Sequence, residues 1–140
     1  MRLPISILEA QIKAAAFMLD YCYRSHIEVA FDANSGERIS VHADEGYEHT
    51  LNILRALARV KNRCGQHMDE YLEALDYSAY TDVIFISNIL SEKAAAVMQR
   101  LQAEGRYVAL LSNELSETGF CEVYHIPRTR SYPMESGDDE

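Results

Sequence analysis

The sequence predicts an α/β domain of three layers, a mostly parallel sheet with one antiparallel edge strand and helices on both faces. Two observations carry that prediction. Apolar stretches with helical spacing alternate along the chain with short runs rich in β-formers. Two of those runs, VIFIS (83–87) and YVALLS (107–112), are almost continuously apolar, the pattern of strands covered on both faces.

The elements follow in order. Leu8, Ile12, Ala15, Leu19 and Cys22 step by four and three and draw one apolar stripe, so the chain opens on a helix. IEVAFD (27–32) is the first strand, and ANSGE supplies turn residues. RISVH (38–42) alternates as a strand should, which makes a hairpin whose second member lies at a sheet edge. In 46–61, Tyr47, Leu51, Leu54 and Ala58 fall on one face, widened by Ile53 and Leu57, and predict an amphipathic helix facing the core. NRCGQ breaks it, and Met68, Tyr71, Leu72 and Leu75 mark a shorter helix. After VIFIS, Ser91 is the expected N-cap of a helix carrying Ala94, Val97, Met98 and Leu101, with Gly105 at its C-terminal stop. CEVYHI (121–126) makes a last, shorter strand. One domain over 1–126 and a loose acidic tail over 127–140 complete the expected organisation.

Composition excludes several functions. Apolar residues are 48% and charged residues 25% of 140, the profile of a globular domain. No run reaches the roughly 18 apolar residues of a membrane span, and MRLPISILEAQ does not resemble a secretory signal. A cytoplasmic location is expected, with any membrane attachment outside this chain. A net charge of −9 with scattered cations (Arg24, Arg38, Arg55, Arg59, Lys61, Arg63) argues against nucleic acid, which demands clustered positive charge. Cys22, Cys64 and Cys121 form no C-x-x-C pair, so a reduced compartment is the simplest reading.

Several stretches carry a resemblance. ILEAQIKAAAFMLDYC resembles an Ala-rich first helix, IEVAFD a second strand, EHTLNILRALARV the helix after an antiparallel edge strand, and TDVIFISN a fourth strand. In that order, from about residue 5 to 126, they resemble the von Willebrand factor A-like domain, a Rossmann-like fold, and within it the bacterial "domain of unknown function 58" family. Such domains begin with a central strand ending in an Asp-x-Ser-x-Ser loop that holds Mg²⁺ or Mn²⁺. This chain starts at the helix that should follow that strand. The resemblance therefore implies a fragment or a degenerate member. It also implies that IEVAFD pairs directly with VIFIS or that a second copy completes the sheet, since an open strand invites association. It further implies a bacterial protein with an adaptor role beside a MoxR-type AAA+ ATPase.

Parallel sheets bind ligands at the carboxyl ends of their strands. Asp32, Asn88, Asn113 and Glu114 are the candidate ligand-binding residues there, with Ser87, Ser112 and the loop residues Asn62, Cys64, Gly65 and Gln66 around them. The resemblance places an Asp where this chain has Asn88 and a Thr where NRCGQ has none. A hard divalent cation needs anionic oxygen, so no metal and no cofactor are expected. The alternative assigns Ser87, Asn88, Ser112 and Asn113 to capping and turns.

Three further groups have two readings each. His42, Asp44, Glu45, Glu48 and His49 form either a metal site or helix-start electrostatics, and the second is preferred. Cys64 near His67 suggests a nucleophile, without a third group to orient the histidine. Nine tyrosines, among them Tyr21, Tyr23, Tyr71, Tyr77 and Tyr80, suit either a protein interface or packing at sheet margins. No P-loop, G-x-G-x-x-G or G-x-S-x-G occurs. The expected function is non-catalytic protein interaction, with enzymatic or small-molecule binding at the strand end as the alternative.

Overall fold

A computed structural model describes residues 5–61 and 65–127. The expected loop residues Asn62 and Cys64 and nearly all of the acidic tail lie outside the described residues. The chain is α/β, and its described residues divide into two compact units, the first up to residue 65 and the second over 66–127.

In the first unit, α1 (Ile5–Arg24) precedes the hairpin of β1 (Val29–Asn34) and β2 (Arg38–Asp44), and α2 (Tyr47–Ala58) follows. The strands pair antiparallel as expected, but they form a two-stranded sheet of their own and not the edge of a mostly parallel sheet. Among the described residues β1 does not pair with the VIFIS strand. β1 begins two residues later than the apolar run and β2 extends two residues further. Between Val29 and Phe31 the register shifts, so three residues of β2 match two of β1, a bulge that adds local twist. The turn residues do more than reverse the chain. Ser35 is buried, and its hydroxyl accepts the Lys61 amide proton at 2.6 Å. The Asn34 side chain accepts the Gly65 amide at 2.9 Å. Gly65 is required there by space, since a Cβ would stand 2.5 Å from the Ser35 carbonyl oxygen.

Helix α2 forms where expected but presents a different face to its core. The buried residues are His49, Ile53, Ala56 and Leu57. Of the expected face, Ile53 and Leu57 are buried, but Tyr47 is 62% and Leu54 40% exposed, Ala58 is exposed, and Leu51 is half-buried. The cause is His49, whose polar character set it aside in a count of apolar residues. Its Nε2 reaches the Val29 carbonyl oxygen at 2.6 Å. That bond satisfies the imidazole in the interior and turns the helix onto the 49/53/56/57 stripe.

The second unit contains α3 (Met68–Ala74), β3 (Asp82–Ile86), α4 (Glu92–Ala103), β4 (Tyr107–Ser112) and β5 (Glu122–His125). Its three strands are parallel in the order β3-β4-β5. β4 is central and buried from Val108 to Ser112, as its apolar run requires. β3 has the same kind of sequence but stands at the edge of its sheet, and Val83 to Ile86 are half-buried. Ser91 caps α4 as expected, accepting the Ala94 amide at 3.1 Å while its hydroxyl donates to Asp69 at 2.5 Å. Gly105, at φ 91°, ends the helix in the left-handed conformation that suits glycine.

The core of this unit joins Val97, Met98 and Leu101 of α4 to Val108 and Leu110 of β4 and to Tyr77. Tyr77 also stacks at an angle on Phe85 and donates its hydroxyl to the Leu72 carbonyl at 2.8 Å. Arg106 holds the segment before β3 in place. Its guanidinium donates to the carbonyls of Tyr77, Ser78 and Tyr80 at 2.9–3.2 Å and pairs with Glu104. β4 and β5 are joined by residues 113–121 without a helix. Ser112 and Thr118 hydroxyls accept backbone amides at the two ends of that link, and Leu115, Phe120 and Cys121 pack on the core. Among the described residues no helix is long and apolar enough to cross a membrane.

Candidate functional site

The carboxyl ends of β3 and β4 bring Asn88 and Asn113 together. The Asn88 side-chain oxygen accepts the Ser112 hydroxyl at 3.1 Å and the Asn113 amide at 2.7 Å. Asn113 donates Nδ2 to the Ile126 carbonyl at 2.8 Å, which ties the chain after β5 to the end of β4. The acceptor carbonyl selects the amide orientation, because a flipped side chain would set two oxygens against each other. Ser112 closes a turn by accepting the Glu114 and Leu115 amides at 3.2 and 3.0 Å. Ser87 makes a smaller turn with both backbone groups of Ile89. Capping and turn formation, the expectation set beside ligand binding, thus account for most of these polar groups.

One atom is left over. Asn113 is 7% exposed, and its Oδ1 has no hydrogen-bond partner among the described residues. A buried acceptor without a donor costs about 1–3 kcal/mol relative to a satisfied one. Nothing in the sequence distinguishes Asn113 in this respect from its neighbours.

Glu114 extends outward at the same strand end, exposed. Asp32 belongs to the first unit. It lies on β1 opposite Ser40, and Arg38 grips its carboxylate through Nε at 3.1 Å and Nη2 at 2.7 Å. The two-pronged geometry suits a guanidinium and a carboxylate.

The acidic and histidine cluster is divided by the fold. Asp44 closes the backbone turn to Glu45, Glu48 lies in the first turn of α2, and His49 is in the interior. His42 stacks at an angle on His49, ring centroids 5.8 Å apart. Among the described residues no group of three or more His, Cys, Asp or Glu could hold a metal ion. His67 caps α3, its Nδ1 accepting the Asp69 amide at 3.3 Å. Burial pushes the Cys22 thiol up from its ordinary value, which weakens it as a nucleophile.

The tyrosines fall into three arrangements. Tyr71 and Tyr77 are core residues, whereas Tyr21, Tyr23 and Tyr47 are exposed. Tyr107 and Tyr124 form a third arrangement that sequence reasoning missed, because its members meet only through the β4–β5 register. Both hydroxyls donate to the two oxygens of Glu122, at 2.6 and 3.0 Å. Beside them lies an open depression of about 540 Å³ at the amino ends of β4 and β5, lined in part by Arg106, Tyr107 and Phe120. Parallel sheets bind ligands at the other end.

By fold and site, the chain is an α/β protein with a parallel β-α-β unit and a polar network closing the strand end. No family model, curated protein or solved structure matches it.

Proposed function

We propose that this protein is a non-catalytic interaction domain, an adaptor built on a partial von Willebrand A-like scaffold of the three-layer, Rossmann-like kind. Its partner is a protein, of the MoxR-type AAA+ class that the resemblance implies. The observation that carries the reading is the distribution of exposed apolar surface. Of nine large apolar side chains exposed among the described residues, six belong to the first unit: Phe17, Tyr21, Tyr23, Ile27, Tyr47 and Leu54. Phe17, 73% exposed, and Tyr21 lie one helical turn apart on α1, where an aromatic pair serves as an anchor. The order of helices and strands and the parallel β3-α4-β4 unit support the scaffold.

The test is affinity capture of the whole chain's partners from host lysate, with and without Mg-ATP, read by mass spectrometry. Nucleotide-dependent recovery of an AAA+ ATPase, lost in Phe17→Ser/Tyr21→Ser, is the expected result. Recovery unaffected by that double variant, or no specific recovery, overturns it.

The orphan Oδ1 of Asn113 favours a second reading, in which the strand end binds a small molecule offering a donor. Asn88 and Glu114 would border such a ligand. A ligand screen followed by amide chemical shifts tests this. Shifts confined to residues 87–89 and 112–115, absent in Asn113→Leu, are its signature.

A further inference from the structure

We infer that α2 docks against α2 of a second copy, antiparallel, through the stripe Tyr47, Leu51, Leu54 and Ala58. This goes beyond the adaptor reading, which draws on the exposed apolar surface of the whole first unit and is tested at the aromatic pair of α1. The stripe is distinct from the core-facing one. His49, Ile53, Ala56 and Leu57 bury against the first unit, whereas Tyr47, Leu54 and Ala58 of the other row are exposed and Leu51 is half-buried. Tyr47 of that row meets Tyr23 edge-on, with ring centroids 6.4 Å apart.

Its spacing is four, three, four, the alternation of a coiled-coil seam. Placed about a two-fold axis between Asn52 and Ile53, two such rows interlock. Leu51 faces the second copy's Leu54, and the large Tyr47 faces the small Ala58. An isologous contact of this kind is closed, with each pair occurring twice.

The charges choose the occupant. Glu48 and Arg55 are both exposed and stand two turns apart beside the same seam. In the antiparallel pairing, Glu48 of one copy meets Arg55 of the other, and the reciprocal pair forms across the axis. A parallel, in-register pairing would bring Arg55 against Thr50 instead and form neither ion pair. Among the described residues Arg55 makes a 3.3 Å bond to Asn52 on its own helix, and its side chain is exposed. A stripe acidic at one end and basic at the other is complementary to its own reverse.

A three-turn helix pair is smaller than a standard interface of roughly 1,600 Å². The association is therefore weak and dependent on concentration. Sedimentation velocity of the full chain over roughly 10–1,000 µM, a span suited to such an interface, is the direct measurement. The native chain is expected to shift from monomer to dimer. Glu48→Arg and Arg55→Glu should each weaken self-association by about tenfold, because each sets two like-charge pairs across the axis. Mixing those two variants should restore it. In the mixed dimer the introduced arginine meets the introduced glutamate on one side of the axis, and the native Arg55 and Glu48 meet on the other. Leu54→Glu should abolish association with the far-ultraviolet spectrum unchanged, since Leu54 lies outside the core.

A sedimentation coefficient constant across the series overturns the proposal. So does a dimer that survives Leu54→Glu, or a mixture no better associated than its components. Loss of partner capture in Leu54→Glu, with the native chain monomeric across the whole concentration series, would assign the stripe to the partner, overturning self-docking alone. Normal self-association with no partner captured would remove only the adaptor reading.

Discussion

Gly65 is constrained by what surrounds it. A methyl group there would press on the Ser35 carbonyl, a backbone atom fixed in turn by the hairpin and by the buried Ser35 hydroxyl. Gly65→Ala is expected to cost about 2 kcal/mol in urea-monitored unfolding, the scale of a core overpacking. Gly105→Ala is the useful control, because a Cβ there meets nothing and only its left-handed backbone carries strain. The Tyr107–Glu122–Tyr124 group makes a second prediction, of pH dependence. The Tyr107 hydroxyl, then that of Tyr124, holds the Glu122 carboxyl below its usual range. Hydrogen bonding to Glu122, then to Tyr124, pushes the Tyr107 phenol up from its ordinary value. Glu122 thus contributes stability above the unfolded carboxylate range and loses it as the pH falls through its lowered folded value. Tyr107 contributes fully below the ordinary phenol range, and its contribution is lost as the pH rises from there through its raised folded value. In Glu122→Gln, ultraviolet titration should show Tyr107 ionising at lower pH than in the native chain.

At the scale of elements, α2 shows how one polar residue redirects a helix. Ile53, at 2% exposed, faces the core, and Leu54, its neighbour, faces away. Ile53→Ala should therefore cost about 2–4 kcal/mol, the range for truncating a buried aliphatic side chain. Leu54→Ala should cost well under 1 kcal/mol, as surface changes do. Equal losses would mean that the apolar stripe read from the sequence is the buried one after all. The contrast between β3 and β4 has a similar origin. VIFIS and YVALLS are equally apolar, but only β4 has a strand on each side. Apolar content reports that a strand can be buried, and neighbour pairing decides how far it is. The cap at Ser91 and the stop at Gly105 were legible because their chemistry is local, requiring only the amides and carbonyls of one helix end.

At the scale of the whole molecule, the net charge of −9 is the governing electrostatic fact. It opposes phosphate-rich partners, so no change in anisotropy of a labelled DNA duplex is expected even at low salt. Salt-sensitive binding would contradict that. The same charge disfavours self-association, so the proposed docking of a second copy depends on the opposite signs of Glu48 and Arg55.

The sequence by itself determined the α/β class, the order of the nine elements among the described residues, the α4 caps and the composition of the β4 core. These depend on periodicity and on contacts within a few residues, which a chain carries without its fold. Tertiary structure alone decided which stripe of α2 is buried, because the Val29 carbonyl that accepts His49 lies twenty residues away. It also decided that Asn88 and Asn113 join while Arg38 engages Asp32, and that Asn113 keeps one acceptor unanswered. Each of those outcomes is a pairing between distant groups, and a polar side chain reveals its partner only once the backbone has brought that partner within hydrogen-bond reach.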